Sequence, residues 1–114
     1  MRSFTRESSV PLVEAHGIIA KQMRACYAVG GLFGNGYQVH EQLDSAAGRA
    51  LVEVYAVGAG KTSSGEETRF ARLVQLEAID GGTRITSSGT IPRYAYATHN
   101  AVGSWLDGNT RCNP

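Results

Sequence analysis

The chain has 114 residues, which allows one domain with a substantial core but not two. Apolar residues make up 42% of the sequence, a globular composition that excludes wholesale disorder. The 11 basic and 10 acidic residues nearly balance and no run of like charge exceeds two residues, so the sequence lacks the basic stripe expected of a protein that binds nucleic acid or an anionic membrane surface.

The first predicted element is a helix that follows a short flexible segment. We expect residues 1–8 to be flexible and residues 9–112 to form a single α+β domain. Apolar and amphipathic side chains then recur at helical spacing, which predicts one buried stripe. The members of this stripe are Leu12, His16, Ile19, Met23 and Cys26. Gly30 and Gly31 are placed to end the helix.

Alternating side chains after this helix predict two strands that form a hairpin. One face of the first strand carries Tyr37, Val39, Glu41 and Leu43, and the apolar face of the second strand carries Ala50, Val52, Val54 and Ala56. We expect Leu43 to pair with Gly48 across a short loop. Val39 then lies opposite Val52, and the apolar side chains of both strands meet on one face.

A second hairpin is predicted over residues 68–89, where Arg72 interrupts an otherwise apolar face. The Gly81-Gly82 pair suits a two-residue turn, which would pair Asp80 with Thr83. Carrying this register back along the strands places Ala78 opposite Ile85. The two hairpins together predict an antiparallel meander of four strands.

The last predicted element is a second helix, which begins near Pro92 because proline suits a first helical turn. Its apolar stripe comprises Ile91, Ala95, Thr98, Val102 and Trp105. The predicted architecture is α-β-β-β-β-α, a four-stranded antiparallel meander with two helices packed on one face. A sheet with one apolar face must bury it, and the two helices are the elements available to cover it.

The sequence GAGKT at residues 58–62 matches the end of a nucleotide-binding P-loop without the rest of that motif. A P-loop needs a glycine where this chain has Tyr55, and it needs a helix directly after the Lys-Thr pair. Turn-forming residues follow instead, and a meander has no crossover helix. We therefore predict a mobile polar loop over residues 58–68 and no nucleotide binding.

No pattern in the sequence predicts catalysis or a bound cofactor. His16, His40 and His99 are expected on the first helix, the outer face of the first strand and the second helix, so they are not expected to converge on a metal ion. Neither cysteine has a histidine close in sequence, and no G-x-S-x-G elbow occurs. We expect a protein without enzymatic activity, metal or cofactor.

The two cysteines, Cys26 and Cys112, are either two buried thiols or a single disulfide. Cys26 ends the first predicted helix and Cys112 lies just past the second, so the outcome depends on whether the fold brings those ends together. A disulfide would indicate the periplasm or cell envelope, whereas two thiols would leave the cytoplasm open.

A groove between the helices and the sheet is the candidate ligand site. Glu41 and Arg72 project onto the predicted core side of the sheet, where the last strand carries only the small residues Ser87 and Gly89. The candidate lining residues are Tyr37, Glu41, Arg72, Tyr94 and Tyr96. The alternative is that Glu41 and Arg72 lie at strand ends and reach solvent past the helices.

Four stretches of the chain together resemble small proteobacterial envelope lipoproteins. They are RACY at the end of the first helix, the hairpin sequences ALVEVYAV and RFARLVQLEAIDGGTRITSSG, and VGSWLDG before the last cysteine. Such lipoproteins often have a helix-grip-like domain, as in the outer-membrane assembly lipoproteins. The resemblance implies a periplasmic module without catalysis, held at the membrane by a lipid anchor outside this chain, because no lipobox occurs in it.

The favoured interpretation is a non-catalytic protein-interaction module of the bacterial envelope, which binds an envelope protein through its exposed sheet face or edge strands. The alternative is a small-ligand or lipid-binding domain that uses the groove between helices and sheet. A ligand-binding domain would keep that groove open between Tyr37, Arg72 and Tyr96. An interaction module would fill the same space with side chains.

Overall fold

The structure, a computed structural model, describes residues 2–27, 36–57 and 70–112. The described residues form two helices and an antiparallel sheet, so the α+β class predicted from the sequence is confirmed. The elements in chain order are β1 (Arg2–Ser8), α1 (Leu12–Tyr27), β2 (Gly36–Asp44), β3 (Arg49–Val57), β4 (Phe70–Ile79), β5 (Gly82–Gly89) and α2 (Pro92–Leu106). The loop predicted over 58–68, including GAGKT, lies outside the described residues.

Within the described residues the sheet has five strands rather than the predicted four, in the order β1-β5-β4-β3-β2. The predicted meander corresponds to β2 through β5. Residues 2–8, for which the sequence predicts a flexible segment, form β1 and pair antiparallel with β5. The predicted order α-β-β-β-β-α is thereby corrected to β-α-β-β-β-β-α.

The first hairpin keeps the predicted faces, but its register differs by two residues. Leu43 faces Ala50 instead of Gly48, and Val39 faces Val54 instead of Val52. The reason is local, because Gly48 has a φ of 70° and belongs to the loop rather than to β3. Since side chains alternate with a period of two, this shift leaves every side chain on its predicted face.

The second hairpin differs from the predicted register in the same way, with Ala78 opposite Thr83 instead of Ile85. Gly81, at a φ of 80°, lies in the turn, whereas Gly82 is the first residue of β5 and pairs with Ile79. A Cβ atom at Gly82 would collide with the backbone oxygen of Ser8. A glycine is therefore needed at position 82 because the backbone of Ser8 and Ser9 passes close to it, and not because of the turn.

The hydrophobic core lies between one face of the sheet and the two helices. α1 packs mainly on β2 and β3, and α2 packs mainly on β5 and β1. Both predicted helical stripes are confirmed by burial except at their ends, where Cys26 is half-buried and Ile91, which precedes α2, is exposed. The largest fully buried side chains include Trp105, Ile19, Met23, Ile85 and Val52. Removing side chains of this size from water stabilises the fold by about 1.5–3 kcal/mol each.

Candidate functional site

The predicted groove residues do not lie together. Tyr37 is on β2, at one edge of the sheet, and its side chain is 39% exposed. Tyr96 is on α2 and contacts Phe4 of β1 at the opposite edge, with 5.7 Å between the ring centroids. Because β1 and β2 are the two outermost strands of the described sheet, these tyrosines cannot line one common groove.

Glu41 lies on the edge strand β2, where it is exposed and forms an ion pair with Arg24 of α1. The side chains of the pair remain 37% and 51% exposed, so water screens the attraction between them. An exposed pair of this kind contributes about 0–1 kcal/mol. Glu41 thus reaches solvent past the helix, as the second of the two sequence interpretations expects.

Arg72 projects toward the helices, as predicted, but other protein groups surround its guanidinium. The guanidinium carbon lies 4.5 Å from the centroid of the Tyr27 ring and 4.6 Å from that of the Tyr94 ring. Its Nη1 donates hydrogen bonds to the Tyr94 carbonyl oxygen at 3.3 Å and to Thr98 Oγ1 at 3.0 Å. Arg72 is half-buried and has no carboxylate partner among the described residues. Its positive charge is instead stabilised by cation–π contact with the two tyrosine rings.

The small residues of β5 make room for α2 rather than for a ligand. Gly89 faces Arg72 across the β4–β5 pair. A Cβ atom at Gly89 would lie 2.7 Å from the Ala95 backbone nitrogen and 2.8 Å from the Tyr94 Cβ. The first turn of α2 can therefore approach the sheet only because position 89 has no side chain.

The sequence analysis did not include Tyr27 among the site residues. It grouped Tyr94 with Tyr96, although the two tyrosines lie on different faces of α2. Tyr94 precedes the buried Thr98 by four residues, so both side chains lie on the same face of the helix. Tyr96 is off that stripe and 57% exposed. Helical spacing separates the two tyrosines, whereas nothing local in the sequence indicates that Tyr27 meets Arg72.

A second cluster joins β1 to α2. Arg6 Nη2 donates a hydrogen bond to the His99 carbonyl oxygen at 2.9 Å, and a side chain at Gly103 would overlap the Arg6 guanidinium. The His99 ring lies 5.4 Å from the Phe4 ring. Burial lowers the pKa of His99, and the nearby Arg6 charge lowers it further. These contacts hold β1 beneath the helix.

The three histidines lie in separate environments. His16 lies on the buried face of α1, and its Nε2 atom lacks a hydrogen-bond partner among the described residues. Burial lowers its pKa, a hydrogen bond to the backbone of Leu51 opposes that change, and the charge of Arg24 adds to it. His40 is exposed and its ring meets that of Tyr55 edge to face. Across the described residues, no three His, Cys, Asp or Glu side chains are grouped to hold a metal ion.

The sheet face opposite the helices, here called the open face, carries a row of alternating charges across its full width. One residue of each strand contributes to this charged row, whose members in spatial order are Asp44, Arg49, Glu77, Arg84 and Glu7. Arg84 donates to Glu77 Oε1 at 3.0 Å and to Glu7 Oε2 at 3.2 Å. These side chains are exposed, so the row is available to a partner.

Next to the charged row, the open face has a depression of about 660 Å³. Besides members of the row, its lining includes Gln42, Leu51, Gln75 and Thr86, which form the neighbouring cross-strand row. Leu51 is the one large apolar side chain among these four and is half-buried. The depression is thus lined mostly by polar residues with apolar residues among them, a mixture typical of protein contact surfaces.

Cys26 and Cys112 form a disulfide, with their Cα atoms 5.4 Å apart. The bond joins the last turn of α1 to the segment that follows α2. Trp105 supports that segment by donating from Nε1 to the Arg111 carbonyl oxygen at 2.7 Å. The disulfide spans 86 residues, and closing such a loop in the unfolded chain stabilises the fold by about 4–5 kcal/mol.

The chain therefore belongs to the class of disulfide-linked α+β domains with one sheet face buried under helices and the other open. Neither helix in the described part of the chain combines the length and apolar character needed to span a membrane. Comparisons with protein-family models, curated proteins and solved structures found no match.

Proposed function

We propose that this protein is a non-catalytic interaction module of the bacterial cell envelope that binds another envelope protein through its open face. The observation that carries this proposal is the charged row, which spans the sheet from Asp44 to Glu7 and borders a polar depression. Such a row presents negative and positive side chains to a partner in a fixed order. Complementary charges of this kind select a partner and set its orientation more than they add affinity.

The filled space between helices and sheet supports an interaction module over a ligand-binding domain. Arg72 is stacked between Tyr27 and Tyr94, and Gly89 admits the first turn of α2. The groove that a small ligand or lipid would need is occupied by these groups. We therefore favour the open face over the helix–sheet interface as the functional surface.

The disulfide supports the compartment in this proposal, because such bonds persist outside the reducing cytosol. Two helices on one face of an antiparallel sheet support a helix-grip-like description and the resemblance to envelope lipoproteins. We accordingly propose a periplasmic location, with any lipid anchor outside this chain. Thiol titration of the protein isolated from its native cells, under denaturing and non-reducing conditions, should find no reactive thiol. Two reactive thiols would contradict the location.

A photo-crosslinking experiment tests the surface. A photoreactive amino acid replaces Gln75, which is exposed in the depression, and in a matched control it replaces Ala97, which is exposed on α2. In intact cells we expect one discrete adduct from position 75 and none from position 97. The same adduct should weaken when Arg84→Glu reverses the centre of the charged row. Equal adducts from both positions, or none from either, would refute the open face as the binding surface.

A further inference from the structure

The edge strand β2 is exposed along its length. Every side chain from Tyr37 to Asp44 is exposed except that of Val39, which is half-buried. One side of the strand pairs with β3, and no strand in the described part of the chain pairs with the other side. Unpaired backbone N–H and C=O groups on such an edge form a template for another strand.

The exposed apolar side chains of β2 are placed symmetrically along it. Tyr37 is 39% exposed and Leu43 is 43% exposed. Both lie on the helix side of the sheet, three positions before and three positions after His40. A strand with apolar residues at equal distances from its centre is complementary to an antiparallel copy of itself.

We infer that a second copy of this chain binds along β2, antiparallel, about a two-fold axis at His40. In this register Tyr37 lies opposite Leu43 of the second copy, and Gln38 lies opposite the second copy's Gln42. The two Tyr–Leu contacts cover the exposed apolar surface of both strands, and the facing glutamines can exchange side-chain hydrogen bonds. The two five-stranded sheets then form one continuous ten-stranded sheet.

The neighbouring registers are less complementary. Side chains keep their faces only if the axis moves by whole residues along the strand. An axis at Glu41 would set the two Glu41 carboxylates directly opposite each other, and an axis at Val39 would leave Leu43 without a partner in β2. The axis at His40 also pairs every residue of Gly36–Asp44, because it is the centre of that strand.

The one charge on the helix side of β2 does not prevent this contact. A charged side chain on the covered face of an edge strand often blocks pairing with another sheet. Here Glu41 is already paired with Arg24 of its own chain, so its charge is balanced before a second copy arrives. In the dimer Glu41 lies opposite the second copy's Val39, where its methylene groups can pack.

Site-specific crosslinking tests the register. His40→Cys places two thiols opposite each other at the axis, at a spacing that a disulfide spans. Gln42→Cys is the matched control, because it is equally exposed on the same strand and face. Its counterpart would lie four residues away along the strand, roughly 13 Å. With the native disulfide intact and verified by peptide mapping, mild oxidation should give a covalent dimer from the position 40 variant only. A dimer from both variants, or from neither, would overturn the register.

Sedimentation tests the association itself. The wild-type chain should show a concentration-dependent dimer, and Leu43→Lys should weaken it about tenfold because it removes both Tyr–Leu contacts. Tyr96→Lys changes an apolar residue that is 57% exposed on α2, and it should leave the dimer unchanged. Urea unfolding of each variant verifies that the subunits are intact. A wild-type chain that stays monomeric up to about 1 mM, or equal weakening by both lysine variants, would refute the inference.

Discussion

The two edges of the sheet differ in what covers them. At β1 the helix-facing residues Phe4, Arg6 and Ser8 are half-buried. Arg6 donates a hydrogen bond to the His99 carbonyl oxygen of α2 and occupies the space above Gly103. At β2 the ion pair that joins the strand to a helix, between Glu41 and Arg24, is exposed. One edge is thus held beneath a helix and the other is open to a partner.

This difference shows that the position of a strand at the edge of a sheet does not make it a binding surface. Both strands offer unpaired backbone groups, yet an approaching strand must also find room beside the helix layer. Phe4, Tyr96 and His99 crowd that space at β1. At β2 the helix-side residues Tyr37 and Leu43 are instead exposed, which is why we assign the contact between copies to β2.

The largest expected effect comes from the bond that joins the two sides of the molecule. α1 lies mainly on the β2 side and the segment after α2 carries Cys112, so the disulfide couples the helices above the two edges. Replacing both Cys26 and Cys112 by serine should lower the free energy of unfolding by about 4–5 kcal/mol, the contribution expected from closing a loop of 86 residues. Urea unfolding measures this loss. Equal stability of the double variant and the oxidised wild type would show that the bond does not restrain the two sides.

The next largest effect is expected where β1 turns into α1. Gly82→Ala adds a methyl group that collides with the backbone oxygen of Ser8, and backbone cannot move aside as a flexible side chain can. We expect a loss of about 2–3 kcal/mol in urea unfolding. Gly17→Ala is the control, because beyond the neighbouring backbone of α1 no atom lies within 4 Å of the added methyl group. That control should stabilise α1 by up to about 1 kcal/mol. A destabilised control or a neutral Gly82 variant would contradict the assigned contacts.

Much of the fold could be predicted because its signals are local. The apolar spacing of Ile19 and Met23 identified the buried face of α1, and that of Val102 and Trp105 did the same for α2. The sequence analysis did not predict β1 because Phe4 is the one large apolar residue of this strand. Its partner strand β5 is adjacent in the sheet but lies near the other end of the sequence. A strand whose hydrophobic alternation is weak is specified by its partner, not by its own sequence.

Glycine roles and site contacts were harder to predict for a related reason. Gly82 looks like a turn residue in the sequence, but it pairs with Ile79 as the first residue of β5, and the close approach of Ser8 is what requires a glycine there. The helix-side orientation of Arg72 was predicted correctly from strand alternation. Its contacts with Tyr27 and Tyr94 were not, because they bring together residues from three different elements.

A direct comparison of the two edges gives the third prediction. Arg6→Ala removes a charged hydrogen-bond donor and leaves the His99 carbonyl oxygen without that partner, so we expect a loss of about 2 kcal/mol. Arg24→Ala removes only an exposed ion pair and should cost about 0–1 kcal/mol. Urea unfolding of the two variants side by side measures the difference. Equal losses would mean that β1 is held no more firmly than β2.

The smallest expected effect is a pH dependence that arises partly at the β1 edge. Burial and the charge of Arg6 hold the pKa of His99 below its usual 6.5 in the folded protein, and burial does the same for His16. As the pH falls below 6.5, the unfolded chain therefore binds protons that the folded protein does not. The neutral histidines contribute their full stability above pH 6.5, and this contribution is lost as the pH falls toward their lowered pKa values in the folded protein.

Urea unfolding on both sides of the ordinary histidine pKa of 6.5 should thus give a smaller free energy of unfolding on the acid side. His99→Gln should reduce this difference, because glutamine cannot take up the proton in either state. Part of the difference should remain, since the pKa of His16 on the buried face of α1 is also lowered, and His16→Gln combined with His99→Gln should reduce the difference further. If the single variant kept the full wild-type difference, His99 would make no contribution to it, and burial and the Arg6 charge would not lower the pKa of His99 in the folded protein.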